Sequence, residues 1–185
     1  KDGNISIPEL FLTSLGSKTK ISGLVSNMYL SPTGTIRVNA PDFRPRRLLE
    51  FFEIDFQSND DGTLQKLDAM VSAEFSENSI AFNQMDLTLD DTNLNGQIKI
   101  QRLPKIQTEF DLTVDTINFD KYLTTEEKPP LSPETAAVGA TRLPNELLRS
   151  LNGNGKIQID KLKISGVTIE NLIVNGQADD GRIEI

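Results

Sequence analysis

Apolar and polar side chains alternate along four stretches of the chain. The apolar positions are Leu67, Ala69, Val71, Ala73 and Phe75; then Met85, Leu87 and Leu89; then Leu94, Ile98 and Ile100; then Ile106, Thr108, Phe110, Leu112 and Val114. A period of two sends successive side chains to opposite faces, so these stretches fit half-buried strands with one greasy side and one wet side. Asp111, Thr113 and Asp115 take the wet side of the last stretch. Upstream, Ile21 to Leu30 places Leu24, Met28 and Leu30 on one parity, "SPTG" at 31–34 supplies turn residues, and Ile36 with Val38 resumes the alternation. "DDTN" at 90–93 joins two of the stretches as a hairpin. The expected fold is mainly β: an elongated, curved antiparallel sheet built from repeated hairpins, each strand donating its apolar side to one surface.

Helical signal is confined to two short segments. "RPRRLLEFFEI" at 44–54 opens with Pro45 near a first-turn position and clusters Leu48, Leu49, Phe51 and Phe52. Its mix of cations and apolar residues suits either a plug against the sheet or contact with an anionic membrane surface. "LPNELLRSLNGNG" at 143–155 repeats the device, with Leu147, Leu148 and Leu151 as the stripe and Asn152-Gly153 as the stop. Between them, 124–142 is rich in proline and small residues and reads as a flexible linker. The expected organisation is therefore a β-rich region over 1–123 with a helix at 44–54, the linker, and a helix plus further strands over 143–185 continuing the same sheet. An internal echo supports a repeated architecture: "VNAPDFRPRRLL" from Val38 and "VDTINFDKYL" from Val114 each end a strand at Val, place Phe five residues later, and enter a helical turn. The last strand pattern is still running at Ile185, as expected of a piece taken from a longer protein.

Composition excludes more than it assigns. The chain of 185 residues carries 19 Lys and Arg against 27 Asp and Glu, a net charge of −8, which opposes a phosphate backbone and argues against nucleic acid as a partner. It has neither histidine nor cysteine, which removes the commonest general base, thiolate metal sites and every Ser-His or Cys-His nucleophile. Asp91, Asn93, Asn95 and Gly96 match the opening of an EF-hand loop, but Arg102 stands where the twelfth-position Glu is required. "SNDDGTL" at 58–64 fails similarly, with Gln57 first and Asp68 twelfth. The carboxylate pairs Glu126–Glu127 and Asp179–Asp180 fall in a linker and a turn, where no fixed separation could tune a pKa. The expectation is a protein that is not an enzyme and holds neither metal nor cofactor. The apolar parity is the remaining candidate: either a core under a second layer or, if the sheet stays open, a trough shaped for an apolar ligand.

Several motifs, in order, resemble the AsmA family of bacterial cell-envelope proteins. An acidic turn followed by T-x-L-x-G occurs at Thr92, Leu94 and Gly96, and the strand-end N-F-D-x-Y-L at Asn118, Phe119, Asp120, Tyr122 and Leu123. A late A-x-D-G-x-I-x-I is present at Ala178, Asp180, Gly181, Ile183 and Ile185. The likeness is good over about 36–123 and 143–185 and weak over 1–20. What it implies is a periplasmic body, anchored to the inner membrane by an N-terminal helix absent from this fragment, and similar to bridge-like lipid carriers whose curved sheet forms an apolar groove. The implied function is non-enzymatic handling or transport of phospholipid, or another acyl-chain lipid, between envelope membranes in support of outer-membrane biogenesis. The alternative is a structural or chaperone-like module that binds outer-membrane proteins or assembly factors. On the first reading Leu87, Leu89, Leu94, Ile98, Ile100, Phe110, Leu112 and Val114 line the groove.

Overall fold

The computed structural model describes residues 3–14, 16–58, 60–102, 105–122, 152–179 and 182–184, the last three as backbone only. The strands are β1 (Ile5–Ser14), β2 (Ser17–Ser26), β3 (Thr33–Phe43), β4 (Leu67–Ser76), β5 (Ser79–Leu89), β6 (Thr92–Gln101), β7 (Gln107–Asn118), β8 (Gly153–Ile164), β9 (Val167–Asp179) and β10 (Arg182–Glu184). Helix α1 (Pro45–Phe51) follows β3, and a 3-10 turn (Phe119–Lys121) follows β7. All ten strands form one sheet whose spatial order is the chain order. β1 does not pair with β10, so the sheet is open and not a barrel. Ten strands at ~4.8 Å spacing make a body roughly 43 Å across, and all but the short β10 run about 33–43 Å in length. The mainly β architecture is thus as the alternation predicts.

One joint departs from the all-antiparallel expectation. β7 and β8 run parallel, from Thr108↔Gly153 to Asn118↔Lys163. A tight turn would force these strands antiparallel, but the chain between them runs from Phe119 to Asn152, long enough for a crossover. Gly153, expected to stop a helix, instead opens β8. The remainder of that expected helix, 143–151, and the expected linker, 124–142, lie outside the described residues. Strands β8 to β10 do continue the same sheet.

The parity assigned to Ile21–Leu30 is also corrected. β2 directs Ile21, Gly23 and Val25 to the apolar face, opposite Val38, Ile36 and Gly34, so Leu24 faces outward and is exposed. Met28, Tyr29 and Leu30 lie beyond the strand in the turn, Tyr29 at 82% and Leu30 at 90% exposure. Gly23 hides the phase of the strand, because a glycine on the apolar side leaves a gap in the apolar period.

α1 is shorter than the expected 44–54. Ile54 N–H donates to the Leu49 carbonyl at 2.9 Å and Glu53 N–H to that of Glu50 at 3.1 Å, the paired bonds of a Schellman ending. Glu53 occupies the left-handed position (φ 55) that glycine usually takes there. The backbone reverses at that residue and the helix cannot continue.

Strand register is pinned at one end of the sheet by carboxylates. Asp90, at the tip of the β5–β6 hairpin, accepts from Leu64, Gln65 and Lys66 N–H at 2.7, 2.9 and 3.0 Å and from the Tyr122 hydroxyl at 3.2 Å. Burial and the neighbouring Asp90 charge push the Tyr122 phenol up to about 12. Asp120 in the 3-10 turn accepts from Ser165 and Gly166 N–H, tying the β8–β9 turn to the end of β7. Asp115 accepts from Asn93 through both its backbone and its amide. Burial works to raise the Asp115 pKa, but these bonds outweigh it and hold the carboxyl below the usual range. The "DDTN" turn therefore uses its acids as anchors. Replacing Asp90 by Asn keeps a residue that tolerates the left-handed backbone there (φ 51) but turns an N–H donor toward N–H donors. Urea unfolding should show a loss of roughly 2 kcal/mol. Asp91→Ala, which breaks only the exposed pair with Lys121 at 2.6 Å, should cost well under ~1 kcal/mol.

Candidate functional site: the apolar face of the sheet

The strand registers stack apolar residues into rows that run across the sheet. One row passes Leu10, Ile21, Val38, Val71, Met85, Gly96, Leu112, Ile157 and Val174, each opposite the next. The row beside it passes Ile7, Gly23, Ile36, Ala73, Phe82, Ile98, Phe110, Gly155 and Gly176. A third joins Ala69, Leu87, Leu94, Val114, Ile159 and Leu172, and a fourth joins Gly34, Phe75, Ile80, Ile100 and Thr108. Two of these rows cross nine strands, the third six and the fourth five, so at their widest they reach roughly 38 Å by 20 Å. That exceeds the few hundred Å² of contiguous apolar surface normal for a soluble monomer.

Bulges keep the rows in phase where the chain would otherwise slip. β1 is irregular between Ile7 and Leu10, β3 between Ala40 and Phe43, and β5 between Phe82 and Met85. Each lets two apolar residues three apart share a face, and each bends its strand. Pro8 and Pro41 fall within the first two, where a missing N–H costs the ladder least.

Large side chains lie flat where the neighbouring strand offers glycine. A Cβ on Gly34 would sit 2.6 Å from the Phe75 ring, one on Gly96 would sit 2.8 Å from Leu112 Cδ2, and one on Gly155 would collide with the Phe110 ring. The face is consequently low and smooth, and its side chains cover the backbone beside them.

Little of this surface is closed off. Among the described residues the buried apolar side chains are Ala73, Val114 and Leu162, at 3, 7 and 8% exposure. Apart from the 3-10 turn against β8, every pair of described elements in substantial contact is a pair of neighbouring strands. Among the described residues the most buried side chains are the hydroxyl residues Ser17 and Thr63, satisfied by the Pro41 carbonyl and by the Asp60 carbonyl and Ser58 hydroxyl.

All eight residues expected to line a groove fall on this one face. Leu87, Leu94 and Val114 are consecutive across three strands, Ile98 faces Phe110, and Leu112 lies over Gly96. Leu89 and Ile100 extend the set toward the two strand ends. Val114 is buried and the other seven are half-buried. Ile106 precedes β7 and is exposed, so the strand begins one residue later than its pattern. Sequence reasoning stopped the surface short: β1 to β4, β8 and β9 carry it on, and the alternation at Leu67–Phe75 already signalled part of this.

The opposite face is mainly polar, with Lys99 beside Glu109 and Asp111 beside Lys156, although exposed Phe11, Leu24, Met70 and Ile173 also lie on it. Its depression of about 250 Å³ at Asn83, Lys99, Glu109 and Asn154 contains no buried polar atom left unpaired, as a preformed polar site would show. Among the described residues no group of three or more acidic side chains is placed to hold a metal ion. Glu126, Glu127 and Asp180 lie outside the described residues. No family model, curated protein or solved structure matches the chain.

Proposed function

We propose that this protein handles lipid without catalysing a reaction, receiving acyl chains of phospholipid on the apolar face of its sheet. The observation that carries the reading is the continuity of that face: two apolar rows cross nine strands in register and two shorter ones flank them, with no described element lying over them. A surface of this kind gains by covering, at roughly 25 cal/mol for each Å² of apolar area removed from water. The polar reverse keeps such a sheet in solution. The resemblance of the motifs at Thr92–Gly96, Asn118–Leu123 and Ala178–Ile185 to the AsmA family is what supports a setting in the bacterial envelope, as the periplasmic body of an inner-membrane-anchored protein.

Native mass spectrometry of the protein as purified from cells tests the reading. Co-purified phospholipid, released on activation in the gas phase, is the expected result; a lipid-free protein under the gentlest conditions would overturn it. The rival, a chaperone-like module that adds strands from outer-membrane proteins, draws on the open edge of β1. Pro8 and the irregularity between Ile7 and Leu10 interrupt that edge, features that oppose strand addition.

A further inference from the structure

Helix α1 is hard to account for by its own contacts. It has seven residues, no side-chain cap and no buried residue. Helices so short gain their stability from packing an amphipathic face against something. Its charges also run against its dipole: Arg44, Arg46 and Arg47 stand at the N-terminal end, Glu50 and Glu53 at the C-terminal end. Local rules broken together in this way mark places shaped by something other than the fold.

The side chains it presents point to the missing partner. Phe51 is 70% exposed and Phe52 61%, their rings edge to face at 5.3 Å. The Schellman bonds fix Ile54, at 54% exposure, beside them. The only stretch of four residues in the chain holding three cations, "RPRR", leads into this tip. Arg46 is engaged with the Asp61 carbonyl at 2.8 Å, while Arg44 and Arg47 remain exposed.

We propose that α1 is a membrane-interface foot, with Phe51, Phe52 and Ile54 entering the headgroup–acyl boundary of a bilayer and Arg44 and Arg47 meeting anionic phospholipid headgroups. Aromatic rings prefer that boundary, and each cation near an anionic surface adds attraction that a body of net charge −8 otherwise lacks. Glu50 and Glu53 oppose the attraction, so binding is weak and tunable. This site is separate from the apolar face and does not depend on it.

Co-sedimentation with vesicles of phosphatidylcholine plus phosphatidylglycerol, compared with phosphatidylcholine alone, tests the proposal. The intact protein should partition onto the mixed vesicles, and Phe51→Ser with Phe52→Ser should weaken this about tenfold or more. Arg44→Gln with Arg47→Gln should weaken it similarly on mixed vesicles only, and Glu50→Gln with Glu53→Gln should strengthen it. Tyr29→Ser with Leu30→Ser removes still more exposed apolar residues from a turn without cations and should change nothing. Three results would overturn the proposal. One is no binding by the intact protein, which would leave the tip to a protein partner. Another is equal loss in the Tyr29–Leu30 variant, which would mean that any exposed apolar residue suffices. The last is loss of co-purified lipid from the Phe51–Phe52 variant, which would make these rings part of the acyl-binding face.

Discussion

Leu112→Glu is expected to fold and to lose bound lipid. Leu112 is half-buried and lies over Gly96, so water can solvate a carboxylate placed there, and the fold should give up only the packing of one partly covered Leu, about 1–2 kcal/mol. An acyl chain on the same spot would meet an unpaired charge at a cost of several kcal/mol. That corresponds to a hundredfold or greater loss of lipid, read by photo-crosslinking in cells or by native mass spectrometry. Two residues along the same strand, Val114 is 7% exposed and enclosed between Leu94 and Ile159. Val114→Glu should therefore unfold by circular dichroism under conditions where Leu112→Glu keeps its β signal. If Leu112→Glu unfolds as well, the face is an ordinary core and the lipid reading fails.

Gly96→Ala should be among the most destabilising single-methyl changes in the molecule. The new Cβ would press on the Asp111 carbonyl and lie 2.8 Å from Leu112 Cδ2 and 3.0 Å from Leu112 Cα. Two of these are backbone atoms, so the β6–β7 ladder must shift. The backbone at Gly96, φ 156, is one that L residues seldom adopt. Strain of ~1–3 kcal/mol and overpacking of similar size give a loss of roughly 3 kcal/mol in urea unfolding. Gly166→Ala is the control. Its backbone is also left-handed, φ 76, but nothing lies within 4 Å of the added methyl, so it should cost only about 1 kcal/mol. Equal losses at the two sites would mean that contact with Leu112 contributes nothing and that the face at Gly96 is loosely packed.

The central strands were legible because each of their faces meets a different solvent. Within each strand from Leu67 to Val114 the apolar positions fall every second residue, save for the step from Phe82 to Met85, and the register places them opposite one another as the alternation implies. Legibility ends where glycine or proline occupies a position on the apolar side. Gly23 hides the phase of β2, Pro8 falls in the break in β1, and Gly153 with Gly155 make the start of β8 look like the end of a helix. The parallel joint could not be read at all, since nothing local to β7 or β8 encodes a partner so far along the chain. The eight expected site residues emerged on one face because burial of one side imposes the same parity on every strand. The exposed tip of α1 was not legible, because Leu and Phe in a short helix look the same whether they cover a sheet or face away from it.

A sheet whose spatial order follows its chain order has consequences for how it comes apart. Each strand touches only its two neighbours, so opening should spread inward from either edge one strand at a time, as in repeat proteins whose stability sums over adjoining units. Amide exchange should be fastest along β1 and slowest in the middle strands. The β7–β8 joint interrupts this progression, because its pairing must close the longest stretch of intervening sequence and is therefore the last expected to form during folding. Until it forms, β1–β7 and β8–β10 are two sheets with an unmatched edge each, and the Asp120 carboxylate, gripping the β8–β9 turn from the end of β7, is placed to hold them in register once they meet.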